Sequence, residues 1–438
     1  MRTILAILLG KAIFWLSRFL NFGGGSAAPG LYALKVDPNL IRELTSKVPI
    51  NIVITGTNGK TTTARLLSHF AKASNLRVIR NHTGSNLERG IASTLVSYYT
   101  LTPKPYPLDL GIWELDEAAF NSVTPRINPA VIVFLNVFRD QLDRYGEVDS
   151  VVKKWGETLK KINPKTRILI NGDDASLNKL QKYFKGHIQK FGVKDYKIKG
   201  EAIEHQKEKG NLDFEASGVK LRGLNGSSFQ LQAKNLSFGE PLPTTLPLPG
   251  IYHIYDFLAA FGVGTALGFD AKLMIKSLKD FSPAFGRVEK LPFGYIFLIK
   301  NPAGATQVFE TIAPQFKRGD RLLLALNDNL ADGRDVSWIW DAQIERLQEA
   351  HTESGKGYRL QLIASGTRAY DLANRLKYAG FDPKSIRVEP DLKQAFNEAK
   401  RALKARLFIL PTYTAMLEIQ SILAKTGIKK HYWQEEGN

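Results

Sequence analysis

The chain has 438 residues, 44% hydrophobic and 23% charged, an ordinary globular composition with room for about two or three domains. It contains no cysteine, which excludes disulfides, thiolate metal sites and a cysteine nucleophile on this chain. The formal net charge of +18 favours anionic partners, but basic pairs such as Lys153-Lys154, Lys160-Lys161 and Lys429-Lys430 are spread along the sequence, and no nucleic-acid module is expected.

At the N-terminus Ile4, Leu5, Ile7, Leu8 and Leu9 follow Arg2 as a short apolar run. Lys11 and Arg18 interrupt it before a membrane-spanning length and, seven residues apart, share one helical face. The pattern predicts an amphipathic helix over about residues 3 to 21, ending at Gly23-Gly24-Gly25-Ser26, which packs on the protein or rests on a membrane surface.

The next apolar run, Ile50 to Ile54, leads into Thr55-Gly56-Thr57-Asn58-Gly59-Lys60-Thr61-Thr62-Thr63. A buried strand, a Gly-rich turn and a helix opened by Lys-Thr form the layout of a nucleotide phosphate cradle. Backbone N–H groups of Gly56 to Gly59 would close around phosphate oxygens, with Thr62 among the binding residues. Lys60 would supply positive charge and Thr61 a hydroxyl for Mg²⁺, so ATP is the expected ligand.

From about 50 to 180 strand-like runs alternate with helical stretches, which predicts a mainly parallel α/β sheet. Val131 to Leu135 and Ile168 to Ile170 are such strands, ending at Asn136 and Asn171. Trp113-Glu114-Leu115-Asp116-Glu117 ends another, and its three carboxylates predict a Mg²⁺ site. Residues about 190 to 245 read as a small β-rich insertion, followed by a stiff connection through Pro241, Pro243, Pro247 and Pro249. A helix is expected over about 253 to 267, and a domain boundary near Phe285-Gly286-Arg287-Val288-Glu289.

Beyond about 295 the alternation resumes. Arg321 to Leu326, Leu360 to Ala364, Ile386 to Glu389 and Leu407 to Leu410 read as strands, with helices over Ala369 to Ala379 and Leu392 to Leu403. This predicts a second, Rossmann-like α/β domain. The expected division is a helical segment 1–45, a central ATP-binding domain 46–284 and a C-terminal α/β domain 285–438. No internal repeat is evident.

The short turn Gly56-Thr57-Asn58-Gly59-Lys60-Thr61 resembles the Mur ligases and folylpolyglutamate synthases, which activate a carboxylate by phosphorylating it. Asn136 and Arg139-Asp140-Gln141-Leu142-Asp143-Arg144-Tyr145-Gly146 narrow the resemblance to the MurT branch of that superfamily. So do Asn301-Pro302-Ala303-Gly304, the long stretch Asn327 to Asp341, and Pro411-Thr412-Tyr413-Thr414-Ala415-Met416-Leu417. The fold it implies is a Mur ligase-like central P-loop domain with a parallel sheet and a C-terminal Rossmann-like domain.

The resemblance implies a subunit that uses ATP to phosphorylate the α-carboxylate of D-glutamate in lipid II. Ammonia from a GatD-like glutaminase partner would then give D-isoglutamine. It places Lys60 and Glu114 in catalysis, and Asp335 or Asp341 in completing the partner's site. Thr61, Glu114 and Gln141 fall at metal-ligand positions, Gln141 standing where Mur ligases have histidine. Asn136, His253, Arg287 and Lys300 fall at nucleotide-binding positions, His253 replacing an asparagine that helps read adenine. The family's carbamylated lysine has no match, since Trp155 occupies its place beside Lys153 and Lys154. A cysteine-bound zinc ribbon, common in this branch, is excluded by composition. A cytoplasmic protein, peripheral at the plasma membrane, is expected. The competing expectations are a stand-alone Mur-type amino-acid ligase and a non-catalytic ATP-binding scaffold. Trp338 and Trp340, on one side of an extended segment, are expected at the partner interface or in the core.

Overall fold

The computed structural model describes residues 1–19, 27–81, 86–99, 107–138, 148–194, 211–234, 240–281, 288–348, 360–401, 403 and 405–428. Nine strands form the first sheet: β1 (Ile50–Thr55), β2 (Val78–Arg80), β3 (Leu110–Leu115), β4 (Val131–Phe134), β5 (Arg167–Asn171), β6 (Ile188–Val193), β7 (Phe214–Leu221), β8 (Ser227–Ala233) and β9 (Leu242–Leu246). Their order is β2-β3-β1-β4-β5-β6-β7-β8-β9. Pairing is parallel from β2 to β7 and antiparallel from β7 to β9.

The central strands are covered on both faces, so they read as continuous apolar runs. Ile52 and Ile54 pack with Leu67 and Phe70 of the helix Lys60–Ala73 and with Phe257 of the helix Ile251–Ala266. Val53, pointing the other way, joins Ile91 and Leu95 of the helix Glu88–Tyr98 and Phe120 of the helix Glu117–Ile127. The β-rich stretch expected at about 190 to 245 continues this sheet, because β7 pairs directly with β6. In β8 alternate residues Phe229, Leu231 and Ala233 are buried, with Phe229 edge-on to Phe257 at 5.5 Å. That period of two gives the sheet's edge strands one buried face.

The N-terminal helix spans Arg2–Phe19. Ala6, Ile7 and Gly10 are buried, where it meets the helices Ala28–Val36 and Glu88–Tyr98. A Cβ at Gly10 would come 2.7 Å from Val96, so the close approach requires glycine.

The second sheet comprises β10 (Glu289–Leu291), β11 (Gly294–Ile296), β12 (Arg321–Ala325), β13 (Gln361–Ser365), β14 (Ile386–Val388) and β15 (Leu407–Pro411). Its order is β10-β11-β15-β12-β13-β14, parallel except for the β10–β11 hairpin. The helices Pro302–Ile312 and Ala369–Tyr378 cover one face, and Leu392–Lys400 and Tyr413–Lys425 the other.

Candidate functional site

Parallel pairing brings the carboxyl ends of β1, β3, β4 and β5 to one edge of the first sheet. β1 lies between β3 and β4, and at such a point of divergence the connecting loops separate to leave a crevice. The loop after β1 fills its floor. Gly59 has φ +88°, and a side chain there would meet Asp256 Oδ1 at 2.1 Å. Gly56 has φ +138°, with Asn136 O 2.9 Å from where a Cβ would sit. Only glycine satisfies both the backbone and the space at these positions.

Asn136 braces the loop. Its Oδ1 accepts from Asn58 N at 2.8 Å, its Nδ2 donates to Asn58 O at 3.1 Å, and its backbone O accepts from Thr57 N at 3.1 Å. Lys60 opens the helix and is buried; its ammonium donates to the carbonyls of Gly56 and, at 3.2 Å, Thr57. Asp116 Oδ1 lies 3.5 Å from the same Nζ. The first turn has no acidic residue and no side-chain cap, so the helix's positive end is presented to an anion. The Thr62 hydroxyl is buried at this cleft without a hydrogen-bond partner among the described residues. A nucleotide phosphate would satisfy it.

Thr61 Oγ1 donates to Glu114 Oε2 at 2.7 Å. Glu114 is buried at the end of β3, where Asn81 clamps it by accepting from its N–H at 2.8 Å and donating to its C=O at 2.9 Å. Arg80 Nη1 stands 3.9 Å from its other carboxylate oxygen. The three carboxylates expected to share a metal do not converge. Glu114 meets Thr61, Asp116 meets Lys60, and the helix starting at Glu117 turns that residue out of the strand's line. Among the described residues no three acidic or histidine side chains form a metal cage. One hydroxyl and one carboxylate suit Mg²⁺, which keeps phosphate and water ligands.

His253 lies in the first turn of Ile251–Ala266, buried, with Nδ1 2.7 Å from Pro249 O. Its tautomer follows from that bond: Nδ1 donates, and in the neutral ring Nε2 has acceptor character. Asp256, one turn on, shares its face and lines the same cleft. Tyr255 OH donates to Asp173 Oδ2 at 2.7 Å. Sequence reasoning passed over Asp173 and Asp256; the i, i+3 relation of Asp256 to His253 was the available signal.

Across the cleft stand Lys300, half-buried, and Asn301, fully buried. Asn301 Oδ1 caps the helix Pro302–Ile312 by accepting from Gly304 N at 2.8 Å. Its amide also pairs with that of Asn58 in both directions, at 3.3 and 3.0 Å. The Asn-Pro start of a helix marks Asn301 as a cap, but sequence gave no sign of its partner. Gln141 and Arg287 lie outside the described residues.

Asp335 and Asp341 do not line the cleft. Asp335 Oδ1 accepts from Ser337 N at 2.9 Å, and hydrogen bonds from the Ser337 hydroxyl and N–H hold its carboxyl below the usual range. Nearby, burial pushes the Asp332 carboxyl up, opposed by its bonds from the N–H and hydroxyl of Thr414. Ser337–Trp340 is a single 3₁₀ turn, not an extended strip. The turn sends Trp338 into the core and leaves Trp340 51% exposed, edge-on to Tyr378 at 5.6 Å with the Arg375 guanidinium 5.5 Å from its ring. Gln343 N donates to Thr306 Oγ1 at 3.1 Å, tying the segment to the helix that Asn301 caps.

Residues 54–264 match the Mur ligase middle domain, and residues 298–416 the MurT ligase C-terminal domain. A Streptococcus pneumoniae protein named lipid II isoglutaminyl synthase (glutamine-hydrolyzing) subunit MurT is 30% identical, covering 98% of each chain. The fold is similar to that of MurF from Acinetobacter baumannii, with TM-score 0.68 at 17% identity, covering 92% of this chain and 81% of that one. It is also similar to Mycobacterium tuberculosis folylpolyglutamate synthase complexed with ADP and AMPPCP, with TM-score 0.63 at 16% identity, covering 89% and 94%.

Proposed function

Because the chain belongs to the MurT family of the Mur ligase superfamily, and is thereby an ATP-dependent ligase, we propose that it is the synthetase subunit that amidates lipid II. The substrate group is the α-carboxylate of D-glutamate in the stem peptide. A carboxylate oxygen attacks the γ-phosphorus of ATP, ADP leaves, and an acyl phosphate forms. Ammonia then attacks the carbonyl carbon, the bond to the phosphate oxygen breaks, and the amide forms with loss of phosphate and a proton. The observation that carries this reading is the Thr61–Glu114 pair, 2.7 Å apart, beside buried Lys60 at the end of β1.

Phosphoryl transfer needs mainly positioning and neutralisation of charge. Lys60 and the N–H groups from Gly56 to Gly59 bind and orient the phosphates, with Thr62 supplying a hydroxyl. Thr61 and Glu114 would hold Mg²⁺, with Gln141 carried over from the family pattern. That ion, when bound, neutralises charge on the phosphate oxygens. Asn136 fixes the loop; by the family pattern His253 would help read the adenine, and Lys300 and Arg287 would bind the phosphates.

Glutamine hydrolysis needs a nucleophile that this cysteine-free chain would draw from a GatD-like glutaminase partner. Asp335 or Asp341 would orient the catalytic histidine of that partner, as the third member of a triad does. The division 1–45, 46–284 and 285–438 then separates a helical segment, the nucleotide-binding unit and the partner-binding unit. The substrate's lipid places the protein at the cytoplasmic face of the plasma membrane. Among the described residues no helix is long and apolar enough to cross it.

The test is co-expression with a glutaminase and mass analysis of lipid II after incubation with ATP and glutamine. A mass decrease of about 1 Da, for hydroxyl replaced by amino, is expected, with ADP released in equal amount. ATP turnover without amide formation, from either glutamine or ammonia, would overturn the proposal.

A further inference from the structure

The helix Arg2–Phe19 uses only one side to pack on the protein. Ile4, Leu5, Leu8, Leu9, Trp15 and Leu16 are 39 to 75% exposed. At 100° per residue they occupy one arc of about 140°, which also takes in exposed Ala12 and the position of Phe19. No charged residue falls inside that arc. Exposed Arg2 lies at one edge and half-buried Lys11 at the other. The neighbouring helix Ala28–Val36 adds exposed Leu31, Tyr32 and Lys35. Residues 1–36 contain four basic side chains and no acidic one.

We infer that this face is a docking surface for an anionic lipid bilayer, on which the helix lies in the interface plane. The inference deepens the proposed reaction by saying which side of the molecule meets the membrane that holds its substrate. The occupant follows from charge and shape. A continuous apolar arc without internal charge matches the acyl boundary, and its cationic edges match anionic headgroups. Trp15, at 75% exposure, is the residue type that settles at the headgroup level. A second copy of this chain would bring cationic edge against cationic edge. The opposite side, with Ala6, Ile7 and Gly10 against the protein, fixes the helix's rotation, so the apolar arc is preset to face outward.

The experiment is co-sedimentation of the full chain with vesicles of equal parts phosphatidylglycerol and phosphatidylethanolamine, without lipid II. The wild type is expected to bind, more weakly to phosphatidylcholine alone and as salt rises. Leu5→Glu with Leu8→Glu should reduce binding by about tenfold or more. Trp15→Phe should keep most of the binding and remove the blue shift of tryptophan fluorescence that accompanies it. ADP binding in the same preparations reports that the protein is folded. Absence of wild-type binding, or undiminished binding by the double variant, overturns the inference. So does a dimer that the double variant disperses, which would assign the face to a second copy. Because the vesicles hold no substrate, failure here leaves the amidation reading standing. Conversely, failure to amidate detergent-dissolved lipid II leaves vesicle binding unaffected.

Discussion

The phosphate cradle and the segment from Asn327 to Gln343 are both dense in polar residues, but they are built in different ways. The cradle is made by backbone. Two glycines at positive φ and one bracing asparagine fix a loop whose shape follows from the strand before it and the helix after it. The second segment is made by side chains. Asp332 reaches Thr414, Asn327 reaches Thr414 and Gln343 reaches Thr306, each across a long gap in sequence. A local motif with one distant brace, Asn136, therefore specifies the geometry of the first region, whereas the second depends on several distant side chains.

The largest effect that would sharpen this contrast lies in the second region. Trp338→Ala should destabilise the second domain by about 3–5 kcal/mol, since it empties a core site. Trp340→Ala removes ring contacts with Tyr378 and Arg375 at a half-exposed position and should cost about 1 kcal/mol. Thermal melts with limited proteolysis of the second domain measure both. Equal effects would mean that the turn does not divide the two indoles between core and surface.

In the cradle, Lys60→Ala should leave the melt nearly unchanged and lower amidation about a hundredfold, roughly 3 kcal/mol of transition-state stabilisation. The purified variant, assayed with ammonia, gives a clean rate. Near wild-type turnover would remove Lys60 from the proposed chemistry.

The third prediction sets charge against geometry in the second region. Asp335→Asn keeps an oxygen to accept from Ser337 N but loses the negative charge. If Asp335 serves the partner, glutamine hydrolysis by the complex should fall about tenfold or more, with ATP affinity unchanged. Asp341→Asn is the matched comparison. The Asp335 carboxyl is held below the usual carboxylate range by the Ser337 hydroxyl and N–H, so its stabilising contribution is complete above that range and is lost only as pH falls through the lower folded pKa. A change of glutaminase rate near neutral pH must therefore come from another group. If neither variant lowers glutamine hydrolysis, the shared-site idea fails.

What was legible in the sequence follows the same division. β1, the turn and the Lys60 helix could be read because apolar run, glycine spacing and helix start agree locally. The second sheet was legible strand by strand from apolar runs, with small differences at the ends, such as Gln361–Ser365 for Leu360 to Ala364. The tryptophans were misjudged because alternation implies one side only if the backbone is extended, and Ser337–Trp340 is a turn. The Mg²⁺ carboxylates were overcounted because adjacency in sequence does not give convergence where a strand gives way to a helix at Glu117. The tie of Asn301 to Asn58 and the approach of Asp256 to Gly59 escaped because each joins residues far apart in the chain.

The smallest expected effect joins the two regions. Asn58 and Asn301 exchange amide hydrogen bonds at 3.3 and 3.0 Å, and they tie the phosphate loop directly to the second domain's first helix. Single replacements would mislead. Asn301→Ala also removes the cap on Gly304 N, and Asn58→Ala also changes a loop residue held by Asn136. A double-mutant cycle cancels these separate costs and leaves the pair's own term. For a partly buried neutral pair that term should be about 1 kcal/mol in stability. If closing the second domain onto the loop is linked to nucleotide binding, a similar coupling should appear in ADP affinity, because only the domain-closed state contains the pair. Calorimetry on the wild type, both single variants and the double variant supplies the four values. A coupling in stability with none in affinity, below about 0.3 kcal/mol, would show that the tie holds the domains together without sensing the nucleotide. A coupling in both would make Asn58 the point where the backbone-built cradle reports to the side-chain-built domain.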